Sequence, residues 1–179
     1  MKAFSHPSNK IKQAADINQN IETTITISRN EWKYDADLET HLATELPMVV
    51  CEIDEINQVF LNFIINAVHA IQEAKARKLL ERGKIIISTE CLDDNEVVIS
   101  VTDTGIGIPD SNLERIFDPF FTTKPVGKGT GQGLSLAHSI IVKEHGGRIE
   151  VKSEENKGTT FTIHLPICPA EKGDPAEKK

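Results

Sequence analysis

Two pairs of Ile- and Val-rich runs, residues 84–92 with 96–103 and 148–153 with 159–165, are each separated by only a few residues. Parallel neighbours need a crossover of about a dozen residues or more, so neither pair can be a crossover unit. Both read as antiparallel hairpins. Asp93-Asp94-Asn95 and Asn156-Lys157-Gly158 supply the turn chemistry. A fifth alternating run, Leu38 to Thr44, reads as a short strand. With three helical patterns beside these strands, the chain is expected to be α+β. The layout is a two-layer sandwich, a mixed but mostly antiparallel five-stranded sheet with three main helices on one face. A doubly wound dinucleotide fold does not fit antiparallel hairpins.

The helical patterns differ in clarity. Asp54 is expected to open a long helix to about Ala76, with Ile56, Val59, Phe60, Phe63, Ile64, Ala67 and Ile71 as its buried stripe. Asp16 can cap a helix that aligns Ile17, Ile21, Ile25 and Trp32, although the β-branched run Thr23 to Ile27 pulls towards a strand. Ser111 begins a short helix to Phe117, and Gly133 to His145 reads as a helix stopped by Gly146-Gly147. Residues 1–15 read as a linker remnant, 16–167 as one domain, and 168–179 as a disordered Pro/Glu/Lys tail.

Composition excludes several classes. The net charge of −7 opposes nucleic-acid binding. Cys51, Cys91 and Cys168 have neither zinc-site nor disulfide-framework spacing. The longest apolar stretch, Val59 to Ile71, is interrupted by Asn62, Asn66 and His69 and is too short to span a bilayer. The segment therefore reads as cytoplasmic, with membrane anchoring of a longer protein left open.

Three features carry chemistry. Asn62 and Asn66 lie one turn apart on the long helix among apolar residues. Either amide alone could be a satisfied core group, but two on one side suggest a polar edge facing a ligand or a metal. Asp103-Thr104-Gly105-Ile106-Gly107-Ile108-Pro109 follows an apolar strand. It is either an Asp-capped tight turn or an acceptor beside backbone that a flat ligand can approach closely. Gly127-Lys128-Gly129-Thr130-Gly131-Gln132-Gly133 runs directly into a helix. It is a plain surface loop or a cradle of N–H groups for polyphosphate, with Lys124 and Lys128 as nearby charge. The Walker spacing is absent.

Together these segments resemble, in order, the boxes of the catalytic ATPase domain of sensor histidine kinases, within the superfamily shared with gyrase, mismatch-repair and chaperone ATPases. Residues 58–67 resemble the N box, 103–107 the G1 box, 117–124 the F box, 129–136 the G2 box and 158–161 the last, threonine-containing box. The resemblance implies a Bergerat-type ATP-binding fold with ATP and Mg²⁺ as cofactors, and no other metal. It gives Asn62, Asn66 and Lys124 catalytic roles, with Asn66 as the Mg²⁺ ligand. Asp103 would accept from the adenine amino group. Gly105 and Gly107 would line the base pocket beside Ile108, with Thr160 close by. Lys124, Gly127, Gly129, Thr130, Gly131, Gln132 and Gly133 would close over the phosphates, next to Leu134, and Ala67 and His69 would complete the nucleotide site. His69 departs from the Lys or Arg often found there, Gln132 from Leu, and Asn156 from a Gly.

Hydrolases of the superfamily carry a glutamate where this chain has Asn62, and an amide is no general base. The implied activity is therefore transfer of the ATP γ-phosphate to a histidine. None of the six histidines is followed by Asp or Glu, the pattern of a phosphoacceptor. The acceptor is expected on a dimerisation hairpin outside this segment, with a response regulator as the next partner. An anti-sigma-type serine kinase or a non-catalytic adenine-nucleotide sensor is the alternative.

Overall fold

The computed structural model describes residues 11–93, 95–122 and 131–167. Strand β1 (Gln13–Ala15) is followed by α1 (Ile17–Ile27), α2 (Arg29–Trp32), β2 (Ala36–His41), β3 (Val49–Cys51) and α3 (Ile53–Ala76). Then come β4 (Gly83–Leu92), β5 (Glu96–Asp103), α4 (Asp110–Leu113), α5 (Gly133–His138), β6 (Arg148–Glu154) and β7 (Gly158–Pro166). Between α5 and β6 the helix widens into a π turn, Ser139–Glu144.

The main sheet has the order β2-β4-β5-β7-β6. Both expected hairpins form, β4 with β5 and β6 with β7, and β5 pairs antiparallel with β7 between them. Only β2 lies parallel to its neighbour β4, because α3 makes the crossover. Helices cover one face. On it α3 buries Ile56, Val59, Phe60, Phe63, Ile64, Ala67 and Ile71, the stripe read from periodicity, together with Val68 and Ala74. The Phe63 ring stacks on Phe161 of β7 at 4.8 Å and joins helix to sheet at the centre of the core.

Local chemistry explains the departures. In α1, Asp16 Oδ1 accepts from Gln19 N–H at 3.1 Å. The hydroxyls of Thr23, Thr24 and Thr26 donate back to carbonyls four residues earlier, so the β-branched run is helical. The pattern breaks at Ser28 before reaching Trp32, which sits in a separate turn. Helix α3 is capped by Glu52, whose Oε2 accepts from Glu55 N–H at 2.7 Å, rather than by Asp54. Helix α4 starts at Asp110 after Pro109 and ends at Leu113, well short of Phe117. Within the stretch read as linker, Gln13–Ala15 form a strand against Val49–Cys51. Three residues with one buried alanine are too short to show a period. Asn156 takes the left-handed conformation (φ 63°) that the hairpin turn demands.

Candidate functional site

A cavity of about 640 Å³ opens between α3, the end of β5, α4, the start of α5 and β7. Along α3 and its C-terminal cap its wall is formed by Asn62, Ile65, Asn66, His69, Ala70, Glu73 and Arg77. Their spacing repeats the helical period on one side, so the wall runs about 22 Å along the helix axis. The side chains of the buried stripe point the other way, into the sheet. Helix α3 therefore packs with one face and binds with the other.

At one end, Gly133 and Leu134 of α5 face Asn62. Asn62 Nδ2–H donates to the Gly133 carbonyl at 3.2 Å, which sets the start of α5 against α3. The side-chain amide of Asn66, one turn on, has no hydrogen-bond partner among the described residues and borders the cavity. An amide oxygen of this kind is a hard donor suited to Mg²⁺. It fits the metal that the sequence implied.

At the other end, β5 delivers Asp103 into the cavity with only 5% of its surface exposed. Gly105 N–H donates to its Oδ1 at 2.8 Å, and the Thr159 N–H donates to the same carboxylate. Burial nevertheless dominates and pushes the Asp103 carboxyl from the ordinary 3.8 to about 7; the two backbone donors pull the other way. The 103–107 loop is held to α3 by Ile106 N–H donating to Ala70 O at 3.2 Å. Gly107 sits at φ 70°, where an added Cβ would meet the Glu154 carbonyl at 2.1 Å. Only glycine allows the loop to lie under the β6–β7 turn. Ile106, Ile108, Ile116 and Phe161 make the walls around Asp103 apolar, which suits a flat heterocycle with one polar edge.

The structure brings Asn62, Asn66, His69, Asp103, Gly107, Ile108, Gly131, Gly133 and Leu134 to this cavity. It does not bring four other expected residues to the lining. Ala67 is buried in the core on the sheet side of α3. Gly105 packs on Ala70, where a Cβ would come within 2.5 Å of that side chain. Gln132 is exposed. Thr160 points to the opposite face of the sheet, its Oγ1 2.9 Å from Thr102 Oγ1. Thr159, the cross-strand partner of Asp103, takes the place expected for Thr160. The alternation of Phe161, Ile163 and Leu165 already placed odd-numbered residues of this strand inside, and that signal singles out Thr159. Lys124, Gly127, Gly129 and Thr130 lie outside the described residues.

Residues 51–169 match the family described as histidine kinase-, DNA gyrase B- and HSP90-like ATPases. The chain belongs to that family. It is similar to sporulation kinase E of Bacillus subtilis, 38% identical over 130 residues that cover 73% of this chain and 16% of the relative. Sensor histidine kinase ZraS of Escherichia coli is 37% identical over 162 residues, 90% of this chain and 32% of the relative. The chain thus spans about a third or less of the length of these curated relatives. Among solved structures, the catalytic domain of histidine kinase ThkA superposes with a TM-score of 0.74 at 33% identity, covering 88% of this chain and 99% of that one. The same kinase in complex with response regulator TrrA gives 0.70 at 28%, covering 89% of this chain and 43% of that one. This chain is a nucleotide-binding catalytic domain of the histidine kinase type, in the mixed sandwich fold expected from its hairpins. Among the described residues, no helix is long and apolar enough to cross a membrane.

Proposed function

We propose that this domain binds Mg²⁺-ATP and delivers the γ-phosphate to a histidine on a separate helical hairpin, from which a response regulator then draws it. The observation that carries this reading is one cavity with a buried carboxylate at one end and two helix-borne amides at the other. Asp103 accepts from the adenine amino group, and the apolar walls hold the ring. A guanine presents a carbonyl at that position, so two acceptors would face each other. Asn66 holds Mg²⁺, which offsets charge on the phosphates. Asn62 cannot activate water, so the bound phosphates are protected from hydrolysis until an acceptor arrives. What remains for the protein is positioning and charge stabilisation, the main components of phosphoryl transfer.

Two features of the relatives support the partners. ThkA is seen with a response regulator, and the curated relatives, a sporulation kinase and a sensor histidine kinase, extend far beyond the matched segment.

The test is incubation with γ-labelled ATP, alone and with a phosphoacceptor hairpin from the same gene or a relative. Label should appear only on the hairpin, be lost in acid, and vanish in Asn66→Ala. Acid-stable label on a serine would turn the reading towards a serine kinase. Rapid hydrolysis without any partner would overturn it.

A further inference from the structure

His145 stands outside the cavity, yet both of its ring nitrogens are committed. It is 2% exposed. The backbone N–H of Glu52 donates to Nε2 at 3.0 Å, so Nε2 carries no proton. Nδ1 therefore bears the hydrogen and donates to the Ile140 carbonyl at 2.8 Å. That carbonyl also accepts from the His145 backbone N–H at 3.1 Å, the five-residue bond that makes this turn a π turn.

The two partners sit at strategic places. Glu52 is the residue before α3: its carbonyl accepts from Ile56 N–H at 3.1 Å, and its carboxylate caps Glu55. Fixing its N–H fixes the first turn of the helix that carries Asn62 and Asn66. Ile140 lies in the turn that continues α5 without a break. α5 and α3 are thus tied twice, through His145 to Glu52 at one end and through the Gly133 carbonyl to Asn62 at the other. A π turn holds one more residue than an α turn. If the imidazole no longer braced it, relaxation to α geometry would rotate everything upstream, Gly133 included.

We infer that His145 is a positioning residue for the phosphate end of the nucleotide site: it braces the π turn against the start of α3 and so holds the Gly133 carbonyl and the mouth of α5 in register with Asn62. This rests on the reading of the cavity given under Proposed function. The base end has its own supports, the Ile106–Ala70 and Asn156–Ile106 backbone bonds. Loss of the brace must therefore weaken phosphate-dependent binding selectively.

The experiment titrates Mg²⁺-ATP and adenosine into the unaltered chain, H145A and H145Q. The unaltered chain should prefer Mg²⁺-ATP; if it does not, the reading of the cavity fails and this inference with it. H145A should lose roughly tenfold in Mg²⁺-ATP affinity, the scale of one unsatisfied buried donor, with adenosine binding within about twofold. H145Q offers the Glu52 N–H an amide oxygen and should recover most of the loss. Equal losses for both ligands would show a merely structural role and overturn the inference, as would no loss at all. If H145A does not fold, nitrogen-15 shifts of the unaltered ring decide. They must report the Nδ1–H tautomer, and the Glu52 amide must respond to Mg²⁺-ATP but not to adenosine. The other tautomer, or an equal response to both, overturns it.

Discussion

Replacing Asp103 by asparagine should make the empty protein more stable at alkaline pH while destroying its preference for adenine. In the folded chain the buried carboxyl keeps its proton up to about pH 7; its ordinary value is 3.8. The native state therefore binds more protons than the unfolded chain between those limits, and stability falls as pH rises through them. Above the upper limit the full cost of holding a charge there is present, about 4 kcal/mol for that interval. Below pH 3.8 it is absent. Asparagine removes the charge but brings an NH₂ towards the Gly105 and Thr159 N–H groups that now donate to the carboxylate. That mismatch costs about 1–3 kcal/mol. The expected net gain at pH 8.5 is about 2 kcal/mol, a rise of roughly 4–8 °C in Tm. At pH 4.5 the gain should disappear or reverse. Urea denaturation of both proteins at the two pH values, without nucleotide, measures the difference directly. A variant less stable at pH 8.5, or a gap that does not change with pH, would refute the argument that burial governs this group.

Three further outcomes follow from the packing and the register. Phe63→Ala should cost about 3–5 kcal/mol in denaturant unfolding, because the ring is 1% exposed and stacked on Phe161. Gly107→Ala should lower stability by at least about 1–3 kcal/mol and block adenosine binding in calorimetry, since its Cβ would collide with the Glu154 carbonyl. Thr159→Val should weaken ATP binding severalfold while Thr160→Val leaves it within about twofold; the reverse order in a competition assay would mean that β7 is out of register.

How much of this was legible in the sequence depends on the length over which each signal repeats. Helix α3 declared both faces, because its apolar stripe repeats over about four turns from Ile56 to Ile71 while two asparagines stand one turn apart on the other side. The hairpins declared themselves by β-branched runs and short turns. The parallel edge strand β2 could be seen as a strand, but its direction depends on the α3 crossover and not on its own six residues. Gln13–Ala15 gave no signal, since its partner Val49–Cys51 is remote in sequence. The site was legible in its motifs and less so in its side-chain directions. Adjacent residues of a strand face opposite ways, so a threonine pair located only by motif leaves one of two faces open. The π turn behind α5 was invisible for a different reason. Ser139–Glu144 has the composition of an ordinary helix, and the His145 ring that reaches back to Ile140 lies beyond it in sequence.

The two edges of the main sheet bear on how the domain behaves at high concentration. β6 presents Arg148, Glu150, Lys152 and Glu154 at alternating exposed positions, and β2 presents Asp37, Glu39 and His41. A strand edge left bare is a template on which another chain can lengthen the sheet. Here an arriving strand would set its own side chains against alternating charges of both signs on β6 and against the Asp37 and Glu39 carboxylates on β2. Charged side chains along both edges blunt the sheet against growth without closing it into a barrel, and the cavity can stay open at its own end of the sheet.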